Sequence, residues 1–441
     1  MDIRRSELMP GVFLSILQTD KFKSDCLSVS LLTQLDRETV SKNALLPRVL
    51  SRGSTFHPDM DAIAAACDEL YGARIIPCVR KCGEILAVGF YAGFIADRFT
   101  PDGSRLLEPT AQLVGELLLS PATKGGLLRK DYVESEKEKL IDDIRAKVND
   151  KRSYALDRMI EEMCAYEDYG CDDMGSEEAA EAVGYVELTR WYRELLQTSP
   201  IEIFYCGSAD FRRVSAAVRD ALITLPRGEI NYELGTDIRL NAMEAQPRFF
   251  EEAMDVTQGK LCMGFRLGDC MDDPDFAAIR VFNCLYGGGV TSKLFLNVRE
   301  KLSLCYYASS GCDTFKGIML VSSGIEFDRL EEAKTEILAQ LDAVRSGDFT
   351  EEELEAARKS VASDLRAATD SPGALESFYL AQTLKGLDYG PMELAALCET
   401  VSREDVIGVA SGIELDTVYF LHGEAQEDDE DAEEESDDAE A

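Results

Sequence analysis

The two halves of the chain close on the same pattern. Val186–Gln197 reads as a helix, followed by Pro200, an apolar strand over Ile201–Tyr205, and Gly207. Far downstream, Ser402–Gly412 reads as a helix, followed by a strand over Thr417–Leu421 and Gly423. The openings match too. Leu27–Leu35 and Leu261–Leu267 are strand-like, and each leads into a helical stretch that runs into glycine, 44–53 in one half and 276–289 in the other. Repetition on this scale means one supersecondary unit built twice. The chain must therefore satisfy the same packing problem in both halves.

Inside each unit, strands come first and helices follow. Leu140, Ile141, Ile144 and Val148 form one face of a charged helix expected over 131–150, with Asp143 and Lys147 at the i,i+4 spacing of a favourable ion pair. Ile63, Cys67, Leu70 and Tyr71 form a second helical face in the same unit. In the other half, Leu330, Ile337, Leu341 and Val344 face one way. Leu354, Ala357, Val361 and Leu365 make a stripe behind Glu351, Glu352 and Glu353, acids that suit a helix N-terminus. Strands followed by runs of helices imply an α+β fold, with helices packed on one face of a largely antiparallel sheet. The expected boundaries are an N-terminal domain over 1–226, a linker over 227–246 without sustained periodicity, a C-terminal domain over 247–423, and an acidic tail over 424–441. The tail carries 12 acids and no base, so it cannot bury enough apolar surface to fold.

Charge excludes several function classes. Asp and Glu number 83 against 46 Lys and Arg, a net charge of −37. Such a field repels phosphate, so neither nucleic acid nor an anionic membrane is an expected partner. No apolar run reaches the roughly 18 residues of a membrane span. The first residues, MDIRRSELMPG, have no apolar stretch behind them of the kind a secretory signal needs, so the expected location is cytoplasmic. The 13 cysteines are odd in number and scattered, which fits free thiols in a reducing compartment. Cys305 reads as a core residue. Only two histidines occur, His57 and His422, one in each unit and at no ligand spacing.

The densest motif is LYGGGVTSKLFLNVREKLSLCYYASS, residues 285–310. Gly287, Gly288 and Gly289 end a helix and permit close backbone approach. Arg299 and Tyr306 follow seven residues apart, just as a strand begins. Neither a Lys-Ser/Thr pair nor a preceding phosphate loop is present, so the glycines do not point to nucleotide. The string GGGVTSKLF…REKLSLCY resembles the GGG-x-x-S-R-L-F and R-E-x-x-G-L-x-Y motifs of the insulinase-type (M16, inverzincin) peptidases, and the resemblance covers roughly residues 10–423. Lys293 stands where that family has Arg, and Ser303 where it has Gly. The resemblance implies two homologous α+β domains forming half of a clamshell. It also implies that Gly287, Gly288, Gly289 and Ser292 help bind peptide. In that family the Arg and Tyr matching Arg299 and Tyr306 reach across to a zinc site and donate to the developing oxyanion, roles that suit a guanidinium and a phenol.

The zinc half of that site is missing. The family motif H-x-x-E-H falls on ALLPR, placing Ala44 and Arg48 at the two histidines and Pro47 at the general-base glutamate. A catalytic zinc needs about three His, Cys, Asp or Glu ligands. Neither Ala44 nor Arg48 is one, and Pro47 cannot activate water. The third ligand, a Glu in the family, would fall near Asp142 and Asp143. The chain alone is therefore expected to bind no metal and to cleave nothing. The resemblance implies a non-zinc subunit of a heterodimeric peptidase, like the short insulinase-like proteins of Gram-positive bacteria. An H-x-x-E-H paralogue would be its partner, zinc that partner's cofactor, and a peptide the substrate. The alternative is an inactive scaffold or peptide-binding protein that kept the fold.

Overall fold

The computed structural model describes residues 3–268 and 275–423. The acidic tail expected over 424–441 lies outside the described residues. In chain order the first half contains β1 (Ile3–Met9), β2 (Val12–Gln18), β3 (Ser24–Gln34), α1 (Val40–Leu50), α2 (Met60–Glu69), β4 (Arg74–Cys82), β5 (Ile85–Ile95) and α3 (Leu107–Leu119). Two short strands, β6 (Thr123–Lys124) and β7 (Leu127–Leu128), precede α4 (Lys130–Ala146), α5 (Lys151–Met163), α6 (Glu177–Ala182), α7 (Tyr185–Thr198), β8 (Ile201–Gly207) and α8 (Phe211–Ala221). The second half contains β9 (Arg248–Ala253), β10 (Gly259–Arg266), α9 (Asp275–Tyr286), β11 (Cys305–Asp313), β12 (Ile318–Ile325), α10 (Leu330–Arg345) and α11 (Glu351–Ala368). It closes with α12 (Pro372–Lys385), α13 (Pro391–Thr400), α14 (Arg403–Gly412) and β13 (Glu414–His422).

The fold is α+β, built on two mixed sheets. The first has the order β1-β2-β8-β3-β5-β4 and the second β11-β12-β10-β13-β9. In each, one parallel pair sits beside an antiparallel run: β2 with β8 in the first, β9 with β13 in the second. Reading outward from the parallel pair, β2-β8-β3-β5-β4 and β9-β13-β10-β12-β11 connect in the same chain order, and β1 is an extra edge strand. The duplicated pattern in the sequence is thus a duplicated topology.

Most helices lie on one face of their own sheet. Leu14, Ile16, Leu27, Val29, Ile201 and Ile203 meet α1, α3, α7 and α8 in the first core. Leu261, Met263, Val418 and Phe420 meet α9, α10, α11 and α14 in the second. Within a strand, alternate residues face opposite ways, and here the alternate set is buried too, because the halves exchange one helix each. Ala155, Met159 and Met163 of α5 cover Cys262, Ile318, Tyr419 and Leu421 on the second sheet. Leu375 and Tyr379 of α12 cover Leu17, Cys26, Phe204 and Cys206 on the first, and Tyr379 stacks on Phe204 at 5.9 Å between ring centres. Both exchanged helices are firmly bounded. Asp150 caps α5 through the Arg152 and Ser153 amides. α12 starts at Ser371-Pro372 and stops at Gly386, whose φ of +68° favours glycine.

A buried charge network fastens the seam. Arg266 is fully buried and binds Asp416 at 3.0 Å and Glu167 at 2.7 Å. Lys316, also fully buried, binds Glu84 at 2.5 Å and Glu167 at 2.7 Å. Arg248 completes it on Asp416 at 2.5 Å. Arg239, at the edge of the network, also approaches Glu167 at 3.6 Å, so each of these charges faces an opposite one in a medium where a lone charge is expensive.

Candidate functional site

The residues at the zinc-motif positions sit on α1, which packs on the first sheet. Ala44 is buried with its methyl in the core. Pro47 lies inside the helix and is buried; it donates nothing to the Asn43 carbonyl, but Ser51 N–H still reaches its own carbonyl at 3.1 Å, so the helix continues. Asn43 is held instead through its side-chain oxygen, which accepts from Trp191 Nε1 at 2.8 Å. Arg48 points across to α4, where Nη1 meets Asp143 Oδ2 at 2.6 Å. One turn on, Arg52 meets Glu136 of α4 at 3.2 Å. Where the family pattern would bridge α1 and α4 with a metal ion, a guanidinium makes that bridge. The expected Asp143–Lys147 pair does not form. Asp143 is taken by Arg48, and Lys147 turns to Asp172.

Zinc does not fit these positions. Among the described residues no three His, Cys, Asp or Glu side chains converge to hold a metal, and the one carboxylate beside Arg48 is already paired. The histidines have other tasks. His57 Nδ1 lies 2.8 Å from the buried Glu116 carboxylate, and His422 Nδ1 lies 2.8 Å from the Gly423 carbonyl.

The glycine-rich segment is built for close packing. The Gly287 and Gly288 amides both donate to the Asn283 carbonyl, at 2.9 and 2.7 Å, ending α9. A methyl on Gly287 would lie 2.5 Å from Ser310 Oγ and 2.7 Å from Leu294 Cδ1, so only glycine lets α9 press against β11 here. Gly289 faces more open space, its nearest atom the Cys284 sulfur at 3.9 Å. Ser292 is fully buried, and its hydroxyl accepts from the Phe295 amide at 3.3 Å. It opens a wide π-type helical stretch over Leu294–Lys301, a geometry often found at functional sites.

That stretch presents Arg299 outward. Its guanidinium lies 4.6 Å over the Phe295 ring and 3.6 Å from Glu300. Ser303 then takes φ +51° and turns the chain into β11. Tyr306 is 62% exposed, and its hydroxyl donates to Glu326 at 2.8 Å. That hydrogen bond to a carboxylate raises the phenol's pKa. Among the described residues no hydrogen bond or ion pair links Arg299 or Tyr306 to α1. Cys305, between them, is buried in the second core. The buried network of Glu84, Glu167, Arg266, Lys316 and Asp416 was not anticipated from the sequence; its members lie up to hundreds of residues apart and share no local motif.

Residues 183–361 match the family model described as "Peptidase M16 inactive domain". The chain is 34% identical over 414 residues to a Bacillus subtilis protein called "Probable inactive metalloprotease YmfF", covering 94% of this chain and 96% of that one. The chain belongs to the M16 peptidase family. Among solved structures, a conserved protein from Enterococcus faecalis V583 superposes with a TM-score of 0.86 at 27% identity, covering 97% of this chain and all of that one. The M16 inactive domain of a Pseudomonas fluorescens protein superposes with a TM-score of 0.78 at 16% identity, covering 96% and 99%, and so shares the fold. In this M16 chain α1 carries Ala44, Pro47 and Arg48, none of them a metal ligand, and Arg299 and Tyr306 lie on one segment that leads from α9 into β11. Among its described residues, no helix is long and apolar enough to cross a membrane.

Proposed function

We propose that this chain is the non-zinc subunit of a heterodimeric M16 peptidase, binding peptide and offering Arg299 and Tyr306 to the zinc site of an H-x-x-E-H partner. The observation that carries this reading is the contrast between the two motifs. Ala44 and Pro47 are buried in core packing and Arg48 is paired, whereas Arg299 and Tyr306 project from one short segment into solvent. Among the described residues the carboxylates paired with them, Glu300 and Glu326, hold them at exposed positions, where exchanging one partner for another costs little. Two donors fixed by one segment are preorganised to stabilise negative charge as it forms. Zinc would belong to the partner.

The test is a steady-state assay of the reconstituted pair. Arg299→Ala and Tyr306→Phe should leave this chain folded by circular dichroism and still bound to the partner. kcat should fall about tenfold or more, because one oxyanion donor is worth on the order of 100-fold in a protease and the zinc shares the charge here. Wild-type kcat in both variants would replace this reading with that of an inactive scaffold.

A further inference from the structure

A cavity of about 320 Å³ opens between α9, α12, α13 and α14. It lies where α12, which covers the first sheet, meets α9 of the second half. Its wall is largely apolar, with Phe276, Phe378, Leu394 and Val401 prominent. Two cations share that wall, Arg280 and Lys385. Among the described residues neither has a carboxylate at ion-pair distance, in a chain whose net charge is −37. Lys385 donates to Thr314 Oγ1 and lies 4.5 Å and 4.4 Å over the rings of Phe276 and Phe315. A cation kept on aromatic faces, next to a second cation, is poised for an anion that enters from solvent.

The other charges on the wall limit which anion. Asp275 and Asp405 also line the cavity, and the Asp405 carboxylate accepts from the Ser402 amide as the α14 cap. Two acids on the same wall oppose a dianion, and the apolar side chains reward a hydrocarbon body that they remove from water. We propose that this cavity binds a small apolar monocarboxylate, its carboxylate between Arg280 and Lys385 and its hydrocarbon against Phe378 and Leu394.

Protonation supports the arrangement and gives it a pH signature. Burial and the neighbouring Arg280 charge lower the Lys385 pKa to about 8, while Asp313 and Cys82 pull the other way. Crowding by protein also lowers the Arg280 pKa. Lys385 is therefore charged below about pH 8 and neutral above it. As long as the ligand's carboxylate stays ionised, affinity should be flat below that value and fall as pH rises through it.

The experiment is calorimetric titration of the full chain with decanoate, with inorganic phosphate as the second arm. Decanoate should bind one per chain, and phosphate at least tenfold more weakly. Arg280→Gln should weaken decanoate at least tenfold. Lys385→Met should weaken it at pH 7 and abolish the decline above pH 8. Ala381→Leu, which keeps both charges and takes up space on the wall, should weaken decanoate with circular dichroism unchanged. No decanoate binding by the wild-type chain would overturn the proposal. So would phosphate binding as tight as decanoate, or wild-type decanoate affinity in both Arg280→Gln and Lys385→Met.

Discussion

Ser303 occupies a backbone conformation that costs a residue with a side chain. Its φ of +51° lies in the left-handed region, where the Cβ crowds the following carbonyl at a cost of about 1–2 kcal/mol. The related M16 motif has glycine at this place, and the turn into β11 explains why. Ser303→Gly should therefore stabilise the chain by about 1 kcal/mol, less the extra freedom that glycine gives the unfolded state. Urea unfolding of the two proteins decides it, and an unchanged or lower midpoint would show that the strain at the turn is no larger than the freedom glycine adds to the unfolded state. The substitution was readable from the sequence as a departure from a motif, but its conformational meaning was not, because the local sequence does not state the φ of the turn that joins the π-type stretch to β11. Arg48 is a similar case. Its type excluded it as a metal ligand, yet only the structure shows it joined to Asp143.

At the scale of elements, the exchanged helix α12 rests on one buried ion pair as well as on apolar contact. Glu376 is almost fully buried, and its carboxylate is held at both oxygens by Arg80 of β4, at 2.5 and 2.8 Å. Removing one member of a buried pair strands the other, at a cost of about 3–5 kcal/mol. Arg80→Ala should therefore cost about 3 kcal/mol by urea unfolding. Arg80→Leu combined with Glu376→Leu should recover most of that loss. A double variant as unstable as Arg80→Ala would mean that packing around the pair, not the stranded charge, is what matters. The strands and the helix stripes were legible. Leu354, Ala357, Val361 and Leu365 are the buried face of α11, as their spacing implies. The destination of a stripe was not legible. Periodicity says that Met159 and Met163 are covered, not that the covering sheet belongs to the other half of the chain. Ile63 and Cys67 show the converse, because α2 follows the helical period yet buries no residue fully, and of the other two residues expected on that face Leu70 ends the helix while Tyr71 lies beyond it at φ +57°.

For the whole molecule, exchange makes the halves interdependent. Without the first half, Cys262, Ile318, Tyr419 and Leu421 lose the cover of α5. Arg266 and Lys316, both fully buried, lose Glu167, and Lys316 also loses Glu84. Without the second half, Phe204 and Cys206 lose the cover of α12, and Arg80 and Glu84 lose their partners. Stranding even one such charge costs about 3–5 kcal/mol, comparable with the 5–15 kcal/mol that stabilises an ordinary domain. Residues 1–246 and 247–441, expressed separately, should therefore each fail to give a cooperative unfolding transition. Produced together, they should copurify one to one, since the exchanged helices and the charge network need contact and not a covalent link. The intact chain should unfold in a single transition when followed by both calorimetry and circular dichroism. Were either fragment to unfold cooperatively by itself, the exchanged helix and the network would be decoration on two independent domains. Absence of that transition in both, with recovery on coexpression, would establish that the repeated unit folds only as a pair.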